Sequence, residues 1–389
     1  MNETKQAENR LVRNVLFAYF VNGAASQSMG SFIPFLRDAY GLSYDLSGML
    51  LSLLSVGNLT ATLLAGILPA YLGRRRSVLT TAVWMALAYI IFASGLGSPL
   101  LLAAAFLMTG ISRGGNTGFV NTMIGTLPGE KSVRGYNLLH GSLAVGALVS
   151  PLLLVACVSA QPAFGWRLMA GGLGLLVICQ LAVYARMPLP AEPAAKGMKQ
   201  VDYGFLRSKT FYLSSAMLFF YISTEYAITG WMVTYFQDIG VLAPNVAQMM
   251  NSLLWLVIFL GRMAGAVITG RISRETLLTI DGIGFFAFFL LLFFGRSAAL
   301  VIPGVIGAGF FMSTIYTSAV SMGSTCVRGN DFGTSAMLFI GSVGGSITPA
   351  LVGFAAEQAG IRAGMGLIVV SAAALLTSIL VSVLSVRKR

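Results

Sequence analysis

Residues 221–238 read YISTEYAITGWMVTYFQD, an apolar context of membrane length with a carboxylate, Glu225, one helical turn from Tyr221. A charged side chain at a bilayer centre costs about 2.5–3.5 kcal/mol on insertion scales, so it is expected to face a cavity or a partner. If this stretch is a membrane helix, its neighbours must cross as well. The composition agrees: 389 residues are 56% hydrophobic and only 10% charged, and the mean hydropathy of +0.82 lies outside the range of soluble domains.

A span needs about 20 mainly apolar residues, and the chain divides into twelve such segments between short polar or Gly/Pro-marked turns. The expected spans are 14–36, 46–72, 77–97, 100–127, 136–158, 166–187, 209–237, 244–270, 276–295, 299–324, 333–356 and 361–386. The polar start followed by a long apolar segment with no A-x-A site is expected to stay as the first helix and not to be cleaved. The net charge of +12 would suggest nucleic acid in a soluble protein, but its distribution argues for topology. Lys5, Arg10, Arg13, Arg74, Arg75, Arg76, Lys131, Arg134, Arg186, Lys196, Lys199, Arg207, Lys209, Arg271, Arg274, Arg328 and the terminal Arg387, Lys388 and Arg389 fall in or beside alternate connections. By the positive-inside rule both termini are expected in the cytoplasm, of a protein in the plasma (inner) membrane, which requires an even number of spans. The three cysteines, Cys157, Cys179 and Cys326, lie in or near apolar spans and read as small core hydrophobes.

The longest polar connection, PLPAEPAAKGMKQVDYGFLRSK over residues 188–209, is Pro/Ala/Lys-rich and divides the chain nearly in half. The expected organisation is a six-helix bundle over 1–187, a cytoplasmic linker over 188–208 and a second six-helix bundle over 209–389. A shift of 200 residues aligns Gly30 with Gly230, Asp38 with Asp238, Leu42 with Leu242, Met49 with Met249 and Arg74 with Arg274. A shift of 198 aligns Gly135 with Gly333, Gly146 with Gly344 and Pro151 with Pro349. Matched Gly, Pro and Asp in order over two regions favour an internal duplication. Two pseudo-symmetric helical halves with a site at the midplane between them are a secondary-transporter design.

The connection between spans two and three, GILPAYLGRRR over 66–76, resembles the G-x-x-x-D-R-x-G-R-R signature of the major facilitator superfamily. Ala70 and Tyr71 stand where that pattern has Asp-Arg, which puts the usual gating pair there in doubt; Gly66, Gly73, Arg74 and Arg75 remain as the tight turn and cytoplasmic anchor. The stretch NLLHGSLAVGALVSP over 137–151 and the E-Y-A-I-T-G-W-M-V-T-Y of 225–235 resemble the fifth and seventh helices of the fucose-permease-like sugar/proton symporters, and FFMSTIYTSAVSMG over 310–323 suits the tenth. The acids which that permease carries in helices one and four are replaced here by Gln27 and about Thr117, so its coupling residues do not carry over. The resemblance implies an all-α polytopic membrane protein of the major facilitator fold, acting as a monomer.

Polar residues inside the spans are the candidate site. Arg113 lies mid-span with Asn116 and Thr117 on its own helix face. A guanidinium there either binds a substrate carboxylate or hydroxyls and modulates a carboxylate's protonation, or is a structural arginine bonded to helix ends. Glu225 is its expected opposite charge. Burial favours the neutral acid and a nearby guanidinium the carboxylate, so a change in their separation would take up and release a proton. A permanently paired or protonated structural acid is the other reading. His140, the only histidine, is either a packing residue or a substrate or proton contact. Asn22 and Gln27 lie about 140° apart on a helix, so both line one cavity only if the helix bends near Gly23 or Gly30. Asn121 and Asn251 are further candidates, with Trp255 on the face of Asn251. Tyr221, Trp231, Tyr235 and Tyr316 either stack on sugar rings or pack; Trp231 follows Gly230, where a helix can bend to form a gate.

No Walker or Rossmann arrangement, metal cluster or hydrolytic constellation is present, so neither an enzyme nor a cofactor is expected. The expected partners are a small solute, a proton and the lipid bilayer, with no nucleic acid. Two functions compete. One is proton-coupled uptake of a small polar solute, sugar-like or a sugar acid, by alternating access. The other is a proton-coupled drug or metabolite efflux antiporter. Against efflux, helix five reads G-A-L-V-S-P and not G-P-x-x-G-G; for it, 18 Met and 25 Phe offer an adaptable apolar pocket.

Overall fold

The computed structural model describes residues 2–65, 68–125, 130–187, 189, 203–268, 271–323, 325–327 and 331–387. Gly66 of the signature and most of the linker lie outside them.

The described chain is helical: α1 (Asn2–Gln27), α2 (Met29–Tyr40), α3 (Tyr44–Leu64), α4 (Leu68–Leu72), α5 (Arg74–Ser94), α6 (Pro99–Gly125), α7 (Glu130–Ala160), α8 (Gly165–Arg186), α9 (Lys209–Asp238), α10 (Pro244–Ile268), α11 (Arg274–Phe294), α12 (Ala298–Met312), α13 (Ile315–Gly323), α14 (Asp331–Ala359) and α15 (Ile361–Arg387). Helices occupy every stretch expected to span, but among the described residues nine are long and apolar enough to cross a membrane. The other three stretches are α1–α2, α6 and α9. They carry the most candidate polar residues, including Asn22, Arg113 and Glu225, and that polarity lowers their mean hydropathy.

Two compact units divide the chain. One comprises Met1–Gly41 with Leu53–Gly197, the other Leu42–Ser52 with Met198–Arg389. The boundary after Gly197 falls in the polar connection, whereas the first turns of α3 belong to the second unit.

Inside the first unit α1 packs on α7, and α5 on both α6 and α8; inside the second, α9 packs on α14, and α11 on both α12 and α15. In span order these are pairs 1·5, 3·4 and 3·6, then 7·11, 9·10 and 9·12. The repeated glycines explain the shared geometry. A Cβ on Gly146 would lie 2.2 Å from the Phe20 carbonyl, and one on Gly344 would lie 2.4 Å from the Phe219 carbonyl. Only glycine lets α7 and α14 approach their partner backbones so closely.

Two spans are interrupted, each by serine chemistry. The turn between α1 and α2 is at Ser28, whose hydroxyl donates to the Ala25 carbonyl at 2.8 Å, while the Tyr89 hydroxyl donates to the same carbonyl at 2.6 Å. Extra donors on one carbonyl compete with the helical ladder. This break lies between Gly23 and Gly30. In span ten, Ser313 and Thr314 separate α12 from α13; the Ser313 hydroxyl donates to the Phe310 carbonyl at 2.6 Å. Gly230 does not interrupt its helix. α9 runs unbroken through it.

Candidate functional site

Each unit carries its own cluster of buried polar side chains. In the N-terminal unit Asn22 lies on α1 at 1% exposure, and both its amide nitrogen and its amide oxygen are buried without a hydrogen bond. Such groups are rare in native interiors, because an unsatisfied buried amide costs roughly 1–3 kcal/mol. Ser26, on the same face, donates back to the Asn22 carbonyl at 2.7 Å, so the side-chain amide remains available. Gln27 is half-buried beside the break. On α6, Arg113 is half-buried, and Asn121 donates to the Thr117 carbonyl at 2.8 Å. Asn116 is 1% exposed, and its side-chain oxygen accepts from Tyr184 of α8. It braces two helices. His140 is exposed on α7, with its ring edge-on to Tyr19 at 6.0 Å.

The signature turn follows its own logic. Gly73 has φ +76°, a conformation glycine adopts without a steric penalty, and it opens α5. Arg74 is buried, whereas Tyr71, in place of the family's arginine, is 81% exposed. Arg75 donates to the carbonyls of Ala185 and, at 3.2 Å, of Met187. A guanidinium on the terminal carbonyls of α8 satisfies groups the helix leaves open and complements its dipole. Arg75 thus ties span three to the end of span six.

In the C-terminal unit α9 brings Tyr221 and Glu225 onto one face. Tyr221 is 1% exposed, and its hydroxyl interacts electrostatically with Glu225, Arg262 of α10 and Tyr316 of α13. The Arg262 guanidinium lies near that hydroxyl without well-formed hydrogen-bond geometry, so the hydroxyl is buried with its hydrogen bonding unmet. The Tyr221 and Tyr316 rings are 5.7 Å apart. On α10, Gln248, Asn251, Trp255 and Arg262 recur at spacings of three, four and seven, a polar stripe along one face. Asn251 donates to the Thr229 carbonyl at 3.4 Å. The Trp255 indole nitrogen is buried without a hydrogen bond.

Trp231 is fully buried, and its indole donates to the Pro349 carbonyl at 3.1 Å. Its ring lies 6.2 Å from that of Tyr44, at the start of α3. Tyr44 itself donates through its backbone to Glu357 at 2.8 Å and through its hydroxyl to Asp238 at 2.6 Å. Trp231 and Asp238 therefore hold residues 42–52 in place, and Tyr235, which donates to the Phe293 carbonyl at 2.7 Å, is a packing group.

Sequence reasoning missed Arg262, Asp281 and Tyr44. The α10 stripe was the signal for Arg262, since it continues the spacing of Asn251 and Trp255. Tyr44 reads as an ordinary interfacial tyrosine, and only the fold shows what it touches.

Two helical units with matching internal pairings and polar groups buried in otherwise apolar spans define a polytopic membrane protein of the secondary-transporter class. The chain belongs to the major facilitator superfamily, whose family model matches residues 15–349. Among solved structures it resembles a bacterial homologue of the human lysosomal transporter Spinster in an inward-facing, occupied conformation (14% identity, 96% of each chain, TM-score 0.77). It also resembles a D-xylose–proton symporter (11% identity, 96% of each chain, TM-score 0.77). The transporter FucP in its outward conformation is similar at 17% identity, over 95% of this chain and 97% of that one, with a TM-score of 0.62. At these identities the likeness establishes the fold. No curated protein sequence matches the chain.

Proposed function

We propose that this transporter carries a small polar solute, sugar-like or a sugar acid, into the cell by proton-coupled alternating access. Twelve spans would place both termini in the cytoplasm of the inner membrane. The observation that carries the reading is the cluster of Tyr221, Glu225, Arg262 and Tyr316. A buried hydroxyl lacking a hydrogen bond, beside a carboxylate, a guanidinium and a second tyrosine, suits a hydroxylated ligand that supplies the missing partner. The Trp255 indole adds a donor, and within the N-terminal unit Asn22 carries an unmet amide of its own.

Glu225 and Arg113 are the coupling residues in this reading, each within its own unit. Arg262 adds a cation near the Tyr221 and Glu225 face of α9. A drug-efflux antiporter would use an apolar pocket, and the unmet hydrogen bonding of Tyr221 and Trp255 favours polar cargo over that alternative.

The test is uptake into right-side-out and inverted proteoliposomes, using a panel of sugars, sugar acids and cationic drugs with and without an imposed pH gradient. Accumulation of a sugar or sugar acid driven by an inward proton gradient is expected. Transport of drugs alone would overturn the solute class. If Glu225→Gln leaves gradient-driven accumulation and its pH dependence intact, the coupling role fails.

A further inference from the structure

The C-terminal unit buries a second carboxylate that the coupling scheme above does not use. Asp281 lies on α11, about two turns beyond its start, and is 5% exposed. An ionised carboxylate in an apolar span is costly, so the group is either neutral or held by something that repays its burial. The Thr314 hydroxyl donates to its Oδ2. Thr314 is half of the Ser313–Thr314 interruption between α12 and α13.

α12, α13 and α15 pack on α11. α12 brings no titratable side chain, and α13 brings Tyr316. α15 meets this level with Leu376 and Ile379 beside Gly282, while its arginines, Arg362 and Arg387, stand near its two ends. On α11 itself Arg274 and Glu275 are at the first turn. Arg262 of α10 donates its Nε to the Ser313 carbonyl at 3.4 Å, on the other side of the same interruption. Asp281 thus meets a hydroxyl at a helix break, and Arg262 braces that break from a different carbonyl.

We propose that Asp281 is a proton-binding site and that the break in span ten reads its state. When ionised, the carboxylate only accepts, so Thr314 must donate to it. When one proton binds Oδ2, the oxygen that Thr314 meets becomes a donor. The Thr314 hydroxyl then accepts, and its own hydrogen turns to another acceptor. One proton enters, no other bond is broken, and the direction of the hydrogen bond across the break is reversed. α13 begins directly after Thr314 and carries Tyr316, whose ring packs on Tyr221. A proton at Asp281 therefore acts on the proposed solute site through α13. The proposal extends the proton-coupled reading but does not require Glu225 to titrate.

The test is an infrared pH titration of the full chain in lipid vesicles, following the C=O band of protonated carboxyls, with no solute present. One titrating band is expected that is lost in Asp281→Asn, kept in Asp281→Glu and kept in Glu225→Gln. Thr314→Val, which removes the hydroxyl and keeps the shape, is expected to shift its frequency and midpoint. If Asp281→Asn leaves the titrating spectrum unchanged, or if Thr314→Val shifts nothing, the assignment is overturned. Loss of all titrating intensity in Glu225→Gln would overturn it too. If Asp281→Asn does not fold, the Thr314→Val comparison decides alone. Failure of proton-driven uptake with the Asp281 band intact would sink the transport reading and spare this one.

Discussion

The seam between spans two and four and the seam between spans eight and ten are built on one plan, but each places its arginine on a different member of the pair. In the first, a Cβ on Gly110 would lie 2.0 Å from the Leu54 carbonyl; in the second, a Cβ on Gly309 would lie 3.1 Å from the Leu254 side chain and 3.3 Å from its carbonyl. Four residues beyond Gly110 comes Gly114, packed on the Asn58 carbonyl, and α6 continues. Four residues beyond Gly309 comes Ser313, and the helix breaks. The N-terminal seam places its arginine, Arg113, on span four, one residue before the close contact. The C-terminal seam places its arginine on span eight, where Arg262 donates to the Ser313 carbonyl. A helix that keeps its glycine stays whole beside its own cation. A helix that substitutes serine and threonine opens a carbonyl, and the neighbouring helix supplies the cation to it.

The largest expected effect is on the arginines. Arg262→Met removes both the donor to Ser313 and the cation beside Tyr221, and should weaken solute binding by about 2 kcal/mol or more, roughly thirtyfold in Kd. Arg113→Met should cost uptake as severely and lower melting by less than Arg262→Met, because no helix break depends on it. The check is uptake of the solute identified by the panel alongside thermal unfolding in detergent. If Arg113→Met lowers the melting temperature more than Arg262→Met, the roles given to the two seams are reversed.

The glycines come next. Gly114→Ala puts a methyl group 2.0 Å from a backbone carbonyl that cannot yield, so a cost at or above about 1–3 kcal/mol is expected. Gly261→Ala meets first the Ser313 hydroxyl at 2.4 Å, which can rotate, and the Phe310 carbonyl at 2.8 Å beside an existing break. It should cost about 1 kcal/mol. Denaturation midpoints of the pair measure the difference directly; equal costs would mean that the break gives no relief.

These contrasts show what could be read before the fold was known. Gly146 and Gly344 were legible as a repeated pair because glycine at a close helix contact has no substitute, and Gly73 because its φ of +76° suits glycine alone. Glu225 was legible because a carboxylate in an apolar run needs a partner. The interruptions were not, because serine and threonine bend a helix only when other donors crowd the same carbonyl, as Tyr89 does at Ala25. Trp231 and Asn116 looked like ligands because a buried polar group has many uses, and chain order does not show that Pro349 and Tyr184 already engage them. Asp281 was passed over because Glu225 met the same criterion within a family-like motif.

The smallest stability effect separates two tyrosines. Tyr184 is fully engaged: its hydroxyl donates to Asn116, and both residues are nine-tenths or more buried. Tyr184→Phe strands the Asn116 oxygen and should cost about 1–2 kcal/mol in unfolding while leaving the solute's Kd unchanged. Tyr221 is as deeply buried, but its hydroxyl lacks a hydrogen bond. Removing a hydroxyl that makes no well-formed hydrogen bond should leave stability unchanged or raise it by a few tenths of a kcal/mol. If that hydroxyl is held for the solute, Tyr221→Phe should still weaken solute binding by about 1 kcal/mol, near fivefold in Kd. Calorimetric unfolding and solute titration on the two variants read opposite columns of this contrast. A stability loss in Tyr221→Phe equal to that in Tyr184→Phe, with solute binding intact, would make Tyr221 a bracing residue like its N-terminal counterpart and leave Glu225 and Arg262 without the hydroxyl that joins them.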